Sequence, residues 1–501
     1  MSYLSIEFSA IFVLFFLFYW SFRSSVGIQN LILLVSSYLI VGLFNINFAL
    51  ILGSYTAVIY LLSSCIAYSL WPKLWLIISV FVAIGNLAVY KYFNFFAPQL
   101  QHQLSEFGID LTLPIAEIIL PIGISFYTFH SMSYLVSVYE RVVDQKQVGL
   151  PEDQWRGIAP VSFFDFALFL SFFPSIIAGP INRAKAFLPQ IQATSPRNVI
   201  DPHRAFMLII LAVIKVYWLS SFFSQAFVKP VFDNPSEHHT VELILGVYAY
   251  AVEIYLNFSG YTDLVTGIAL LLGFKLPINF NAPYLATSLK EFWNRWHISL
   301  STWIRDYIYF PLGGNRKGFS RTQVNVMIGM ILSGLWHGET LNFLIWGAIH
   351  GVGVVFLNIK DGFTERRLLH KGVTKAHVKE MMRKESVGWR KYLFRFLTFN
   401  YVCLGWLFFR SESFDDSMAY ITALYRNFGD ITLYYEPLGI LALLMIVIFV
   451  IYPLLTKLPA LFVNVTKKIP FFLLPAIYIA ILWIVIYLAP SGIPQFIYAS
   501  F

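Results

Sequence analysis

Residues 323–359 read QVNVMIGMILSGLWHGETLNFLIWGAIHGVGVVFLNI. Two apolar segments, 323–337 and 339–359, meet at His337, which stands between Trp336 and Gly338. Neither segment alternates polar and apolar residues, so neither reads as a strand of a membrane β-barrel. Arg316, Lys317 and Arg321 precede the pair, and the loop 360–391 that follows carries ten basic residues against Asp361, Glu365, Glu380 and Glu385. Basic loops mark the cytoplasmic face. Both arms therefore return to one side, which predicts a helical hairpin with His337 at its turn. Counted from Gln323, the first arm has roughly 14 residues and rises about 21 Å. A bilayer core is about 30 Å thick, so the turn is expected below the outer surface. An ionisable residue at that depth is a functional candidate by default.

The rest of the chain has the same character. Of its 501 residues, 12% are charged, about half the ~25% usual in soluble domains. Aromatics reach 18%, and the mean hydropathy is +0.68. Apolar runs at 6–22, 29–45, 47–71, 75–95, 114–138, 205–228, 241–257, 323–337, 339–359, 392–410, 436–456 and 470–489 predict about 12 transmembrane helices. Two further runs, 161–181 and 260–279, contain Pro or Gly that would free backbone groups, and are expected to be re-entrant or kinked. The fold class is an all-α polytopic membrane protein in one membrane domain.

The net charge of +8 does not indicate a nucleic-acid binder, because the basic residues lie in loops between apolar spans. Loops without Lys or Arg, such as 97–114 and 233–242, alternate with basic ones, and the alternation is consistent with both termini outside. Cys65 and Cys403, the two cysteines, lie in apolar stretches and suggest neither a disulfide framework nor a zinc site. Arg23, the first basic residue, follows the first apolar run, so no cleavable signal peptide is evident.

The densest mixture of charge and aromatics is residues 279–316, NFNAPYLATSLKEFWNRWHISLSTWIRDYIYFPLGGNR. Ser288 and Glu291 have the spacing of a capping box. Trp293, Trp296, Leu300, Trp303 and Tyr307 then recur at helical spacing, and Asn294, His297, Ser301 and Arg305 form a neighbouring polar stripe. An interfacial helix with two faces is expected, ended by the turn PLGGN. His297 and His337, 40 residues apart, flank one cytoplasmic segment and are expected to meet in one cavity. Asp263 reads as a helix cap. His130 and His350 read as packed, satisfied core residues. Glu339 is expected at the turn, and His238 and His239 are expected in water. No phosphate-binding Gly loop, HExxH pair or GxSxG elbow is present. Acyl transfer remains open, because it needs little more than an imidazole that takes a proton from a hydroxyl beside a thioester.

Seven stretches carry a resemblance: KYFNFF (91–96), LPIGISFYTFHSMSYL (120–135), FFPSIIAGPINR (172–183), NFSGYTDLVTGIALLLGF (257–274), PYLATSLKEFWNRWHISLSTWIRDYIYFPLGGNR (283–316), SGLWHG (333–338) and GWLFFR (405–410). With these, the chain resembles the membrane-bound O-acyltransferase (MBOAT) family. It is most similar to the bacterial branch that holds the alginate O-acetyltransferase membrane subunit and the D-alanyl-transfer protein of teichoic acid modification. His130 departs from the Gln expected in relatives.

The resemblance implies a ring of helices around a central tunnel, thin in the middle, in a bacterial inner membrane. It makes His337 of the WHG motif the catalytic residue, with His297 at the upstream polar position. It implies a core at 111–359, between variable N-terminal helices at 1–110 and, after the basic loop, C-terminal helices at 392–501. It further implies acetyl-CoA or another acyl thioester as donor, with no permanently bound cofactor. The acceptor would be an extracytoplasmic polysaccharide, or a periplasmic acetyltransferase partner that completes the transfer. Arg295 and Arg305 are expected either to meet donor phosphates at the cytoplasmic mouth or to serve as topogenic charge alone, and Trp303 and Trp336 are candidates to line the tunnel. D-alanyl transfer is the rival within the enzyme class, and a transporter or flippase of an acylated precursor is the rival outside it.

Overall fold

The computed structural model describes residues 3–109, 119–145, 157–384, 388–427, 439, 443, 446 and 450–490. Among them every regular element is helical. The chain divides into two compact units. One takes residues 1–209 and 262–277, the other 210–261 and 278–499.

The first unit opens with α1 (Ile6–Ser21), α2 (Val26–Phe44), α3 (Ile46–Tyr68) and α4 (Pro72–Glu106). Apart from the polar last turns of α4, residues 98–106, these are largely apolar, as suits helices whose outer surfaces meet lipid. Helix α5 (Ile124–Gln145) is different: Ser125, Thr128, His130, Ser131 and Ser133 are all buried along it. The run 161–181 is broken as expected. It forms α6 (Phe163–Ser171) and α7 (Phe173–Ile176), with Phe172 between them. The backbone freed at the break is satisfied by side chains: the Phe173 N–H donates to Ser37 Oγ (3.1 Å) and the Tyr3 hydroxyl to the Phe173 carbonyl (2.6 Å). Helix α8 (Ala184–Ile191) follows. Arg197 then ties the loop after it, donating to Asn30 Oδ1 (2.7 Å) and to the carbonyls of Gln190 (3.0 Å) and Ile191 (3.1 Å).

Two long helices, α9 (Pro202–Asp233) and α10 (Thr240–Leu271), cross the division between units. The expected break at 260–279 is corrected here. Residues 260–271 continue the helix begun at 240, and irregular chain starts only near 272. Gly260 acts as a close-approach residue, since a Cβ there would lie 2.5 Å from the Val216 side chain. Asp263 consequently sits inside a helix, not at a cap.

The second unit continues with α11 (Leu289–Trp293), α12 (Ile298–Ile304) and the hairpin of α13 (Phe319–His337) and α14 (Leu341–His370). After these come α15 (Lys375–Lys384), α16 (Trp389–Arg410), α17 (Phe414–Arg426), α18 (Val450–Thr466) and α19 (Phe471–Leu488). The hairpin arms lie close because α14 carries Gly347 and Gly351: a Cβ at Gly347 would sit 2.5 Å from the Met330 carbonyl. This is the small-xxx-small solution to helix packing where water supplies no drive. Two sequence expectations change. Helix α13 has 19 residues, which is about 28 Å at 1.5 Å per residue, so arm length does not recess the turn. The region 360–391 is not a loop: α14 runs to His370 and α15 occupies much of the remainder.

Eight helices among the described residues are long and apolar enough to cross a membrane: α2, α3, α4, α9, α10, α14, α16 and α19. The chain is a multi-pass membrane protein. Four of the twelve expected spans fall short of that standard. Helix α1 has 16 residues, α5 and α13 carry buried polar side chains that lower their apolarity, and most of 436–449 lies outside the described residues.

Candidate active site

His337 is the last residue of α13, and 2% of it is exposed. Gly338 follows in extended backbone. The Phe343 ring occupies the space that a Cβ at 338 would need, so the residue after His337 is glycine for steric reasons. Asn342 anchors the turn. Its amide donates to the carbonyls of Ser411 (3.0 Å) and Ser413 (2.8 Å), and its Oδ1 accepts from the Ser417 hydroxyl (3.2 Å). The hairpin is thereby tied to the junction of α16 and α17.

Aromatic rings from three helices enclose the His337 imidazole. Ring centroids lie at 4.7 Å for Trp336, 5.0 Å for Trp346 and 5.0 Å for Phe409, all edge-to-face. Phe343 stacks at 6.3 Å. Such walls hold a ring by geometry as well as by burial.

His297 does not lie on a helix face. The chain turns between α11 and α12, and His297 adopts φ +41°, the left-handed region, as the N-cap of α12. Holding a non-glycine residue there costs on the order of 1–3 kcal/mol, which the surroundings supply. An extended stretch runs beside the turn: the Ile298 N–H donates to the Asn279 carbonyl (2.9 Å), the Ser299 N–H and hydroxyl to Asn279 Oδ1 (3.3 and 2.8 Å), and the Asn281 N–H to the Arg295 carbonyl (2.9 Å). The expected single interfacial helix is thus corrected. Trp293, Trp296, Leu300 and Trp303 are buried as one apolar set, but the polar stripe comes apart: Asn294 and Arg305 are exposed while His297 is buried. The His297 ring meets Phe258 at 4.7 Å and Trp336 at 5.8 Å. Trp336 therefore stands between two imidazoles.

The capping expectation holds in part. Ser288 Oγ accepts from the Glu291 N–H (3.2 Å), but the Glu291 carboxylate reaches the Thr287 N–H and hydroxyl (2.8 Å each), one residue short of a capping box. Burial alone would raise the Glu291 pKa; the Thr287 hydrogen bonds and the Arg295 guanidinium outweigh it and lower it. Arg295 pairs with Glu291 (2.8 Å) and donates to the Asn281 carbonyl (3.0 Å). Arg305 pairs with Asp306 (2.7 Å) and lies over the Phe310 ring. Trp303 packs on Tyr307 at 5.0 Å. Of the six residues singled out in the sequence, the structure joins His337, His297 and Trp336 in one cluster, and engages both arginines with carboxylates.

Other polar residues sort differently. His130 is packed on Phe169 (5.4 Å), and its Nε2 accepts the Asn182 N–H (3.0 Å). Glu339 is exposed at the turn as expected. His238 is not simply solvated, because its ring nitrogens contact the Glu242 carboxylate and the Pro230 carbonyl, each at 3.2 Å. His350 is packed but not satisfied: it is fully buried, yet neither ring nitrogen has a hydrogen-bond partner among the described residues. Trp346, Phe409, Asn279 and Asn342 were missed in the sequence. Only the spacing of Trp346 and His350, one turn apart beside glycines, carried a signal.

Comparison with known proteins bears on what such a site does. The family profile described as MBOAT, the membrane-bound O-acyltransferase family, matches residues 126–383. The chain is 34% identical to the probable alginate O-acetylase AlgI of Azotobacter vinelandii, over 81% of this chain and 74% of that one. It is 33% identical to the protein of the same name from Pseudomonas aeruginosa, over 80% and 70%. The peptidoglycan O-acetyltransferase of Helicobacter pylori is 31% identical, over 70% and 64%. The chain belongs to the membrane-bound O-acyltransferase family and is an O-acyltransferase.

Proposed function

We propose that this enzyme moves an acetyl group from a cytoplasmic thioester, such as acetyl-CoA, to the O-acetylation of an extracytoplasmic polysaccharide. The final acceptor is the polymer itself or a periplasmic partner that passes the group on. The observation that carries this reading is an ionisable ring at the turn of an apolar hairpin, buried among aromatic walls, in a chain whose relatives are named for acetyl transfer to alginate and peptidoglycan. A base shielded from water by these rings suits a thioester that water would otherwise hydrolyse.

In the proposed reaction the His337 imidazole takes the proton of the acceptor hydroxyl. The oxygen attacks the thioester carbonyl, the C–S bond breaks, and the thiolate takes the proton from the imidazolium as the ester forms. His297 orients the donor or assists the proton movement through the cluster around Trp336. Arg295 and Arg305 meet donor phosphates at the cytoplasmic mouth, exchanging carboxylate partners for phosphate ones. Trp303 and Trp336 line the passage through the ring of helices. The setting is a bacterial inner membrane with both termini extracytoplasmic, a reading supported by the alternation of basic and uncharged loops.

The test is the ester content of cell-surface polymer in a strain lacking this protein, complemented with wild type or His337→Ala at matched membrane levels. Recovery of O-acetyl groups with wild type and not with the variant is expected. Equal recovery with both would sink the general-base role. Recovery of D-alanyl esters in place of acetyl would replace the donor.

A further inference from the structure

Imidazoles and indoles alternate through the site. The order is His297, Trp336, His337, Trp346 and His350, with successive centroids at 5.8, 4.7, 5.0 and 4.9 Å. Trp346 stands edge-to-face to both of its imidazole neighbours, at 84° to His337 and 63° to His350. Behind it, His350 is held on three further sides. Trp293 meets it edge-on at 5.0 Å, Phe292 stacks on it at 6.3 Å and 8°, and Gly405 of α16 lies so close that a Cβ there would sit 2.7 Å from His350 Nε2 and 3.3 Å from Trp346 Cδ1.

This packing gives the imidazole no hydrogen bond among the described residues. The indole N–H groups of Trp293 and Trp346 are likewise buried with no hydrogen-bond partner among the described residues. Buried polar atoms left unpaired lower stability, so hydrogen bonding does not explain His350, and each such group in a folded protein asks for another reason. What the ring does in this position is geometric. It is a small, flat ring that, with the Gly405 backbone, bounds one side of the Trp346 indole, and that indole is one wall of the His337 imidazole.

We propose that His350 is a positioning residue for His337: it locks Trp346, and Trp346 holds the His337 ring in the orientation that meets the acceptor hydroxyl. The inference rests on the general-base reading of His337. Positioning within about 1 Å is worth roughly a hundredfold in rate, so the lever is large enough to matter although His350 touches no reacting atom.

The experiment uses the full-length enzyme purified into vesicles, with kcat and KM measured for the acyl-thioester donor. His350→Ala is expected to lower kcat roughly ten- to hundredfold with the donor KM unchanged within a factor of about two. Gly405→Ala keeps both side chains but forces them to shift, and is expected to lower kcat in the same sense. The decisive comparison is in the Trp346→Ala background. There His350→Ala should add nothing, because the coupling runs through the indole. Full additivity of the two variants, or an unchanged kcat in folded His350→Ala and Gly405→Ala enzymes, overturns the proposal. A rise in KM alone would instead make His350 a donor-binding residue, which also overturns it. His337→Ala is measured alongside. If that variant keeps its activity, the base assignment fails first; if it is inactive while His350→Ala is normal, only the positioning role fails.

Discussion

His130 and His350 are both buried histidines in the middle of helices, and sequence reading treated them alike. The structure separates them by their partners. His130 accepts a backbone N–H from Asn182 at Nε2 and lies against Phe169, and its Nδ1 has no hydrogen-bond partner among the described residues. His350 accepts nothing from any described residue and is enclosed by Trp293, Trp346 and Phe292. The first arrangement is how a fold uses a polar side chain to satisfy a loop. The second spends stability on a ring whose neighbour's neighbour is His337. Burial alone therefore does not distinguish the two histidines; the backbone hydrogen bond that His130 Nε2 accepts does.

The sharpest way to break this contrast is to compare rates. His337→Ala should reduce acyl transfer by about 10²–10⁴-fold, the usual worth of a positioned general base. His130→Gln, at matched folded enzyme, should change it by less than about threefold. A large rate loss at His130 would show that the distinction drawn from hydrogen bonding is wrong.

Glycines offer a second contrast, read by thermal unfolding in detergent. Gly338→Ala drives a methyl into the Phe343 ring and should destabilise by about 1–3 kcal/mol. Gly85→Ala, in α4 with nothing within 4 Å of the added Cβ, should be neutral or stabilise by up to about 1 kcal/mol through helix propensity.

Asparagines sharpen the comparison further. Asn279→Ala removes the acceptor of the Ser299 N–H and hydroxyl, and should cost about 1–2 kcal/mol while also lowering activity as the His297 turn loosens. Asn182→Ala keeps the backbone N–H that His130 accepts. It loses only the side-chain bond to Ser175 (2.9 Å), and should cost about 1 kcal/mol with no change in rate.

The smallest effect is expected at the Lys290–Asp361 pair, which joins α11 to α14 at 2.6 Å with both side chains more than a third exposed. A double-mutant cycle there should return at most about 1 kcal/mol, and less at high salt.

Several features were legible because their causes are local. The break at Phe172 followed from Pro174 and nearby glycine in an apolar run. The Ser288 cap was read correctly, but the carboxylate that completes a capping box goes to Thr287, since the Arg295 guanidinium and the Thr287 hydroxyl compete for Glu291. The helix expected through 288–309 was misread for a non-local reason: the Asn279–Asn281 strand-like stretch captures Ile298, Ser299 and the Arg295 carbonyl, and periodicity within 288–309 contains no trace of it.

Taken alone, the sequence determined that this is a helical, multi-pass membrane protein. A lipid solvent forces every backbone group to find its partner within the chain, and apolar runs of sufficient length have one way to comply. It also placed His337 at a hairpin turn, through charge on the flanking segments. Only the tertiary structure decided what surrounds that histidine. Phe343 and Trp346 come from α14 and Phe409 from α16, and ring orientations between helices depend on side-chain packing across segments far apart in sequence. Spacing along the chain encodes which face a residue shares, but not which ring of another helix will meet it.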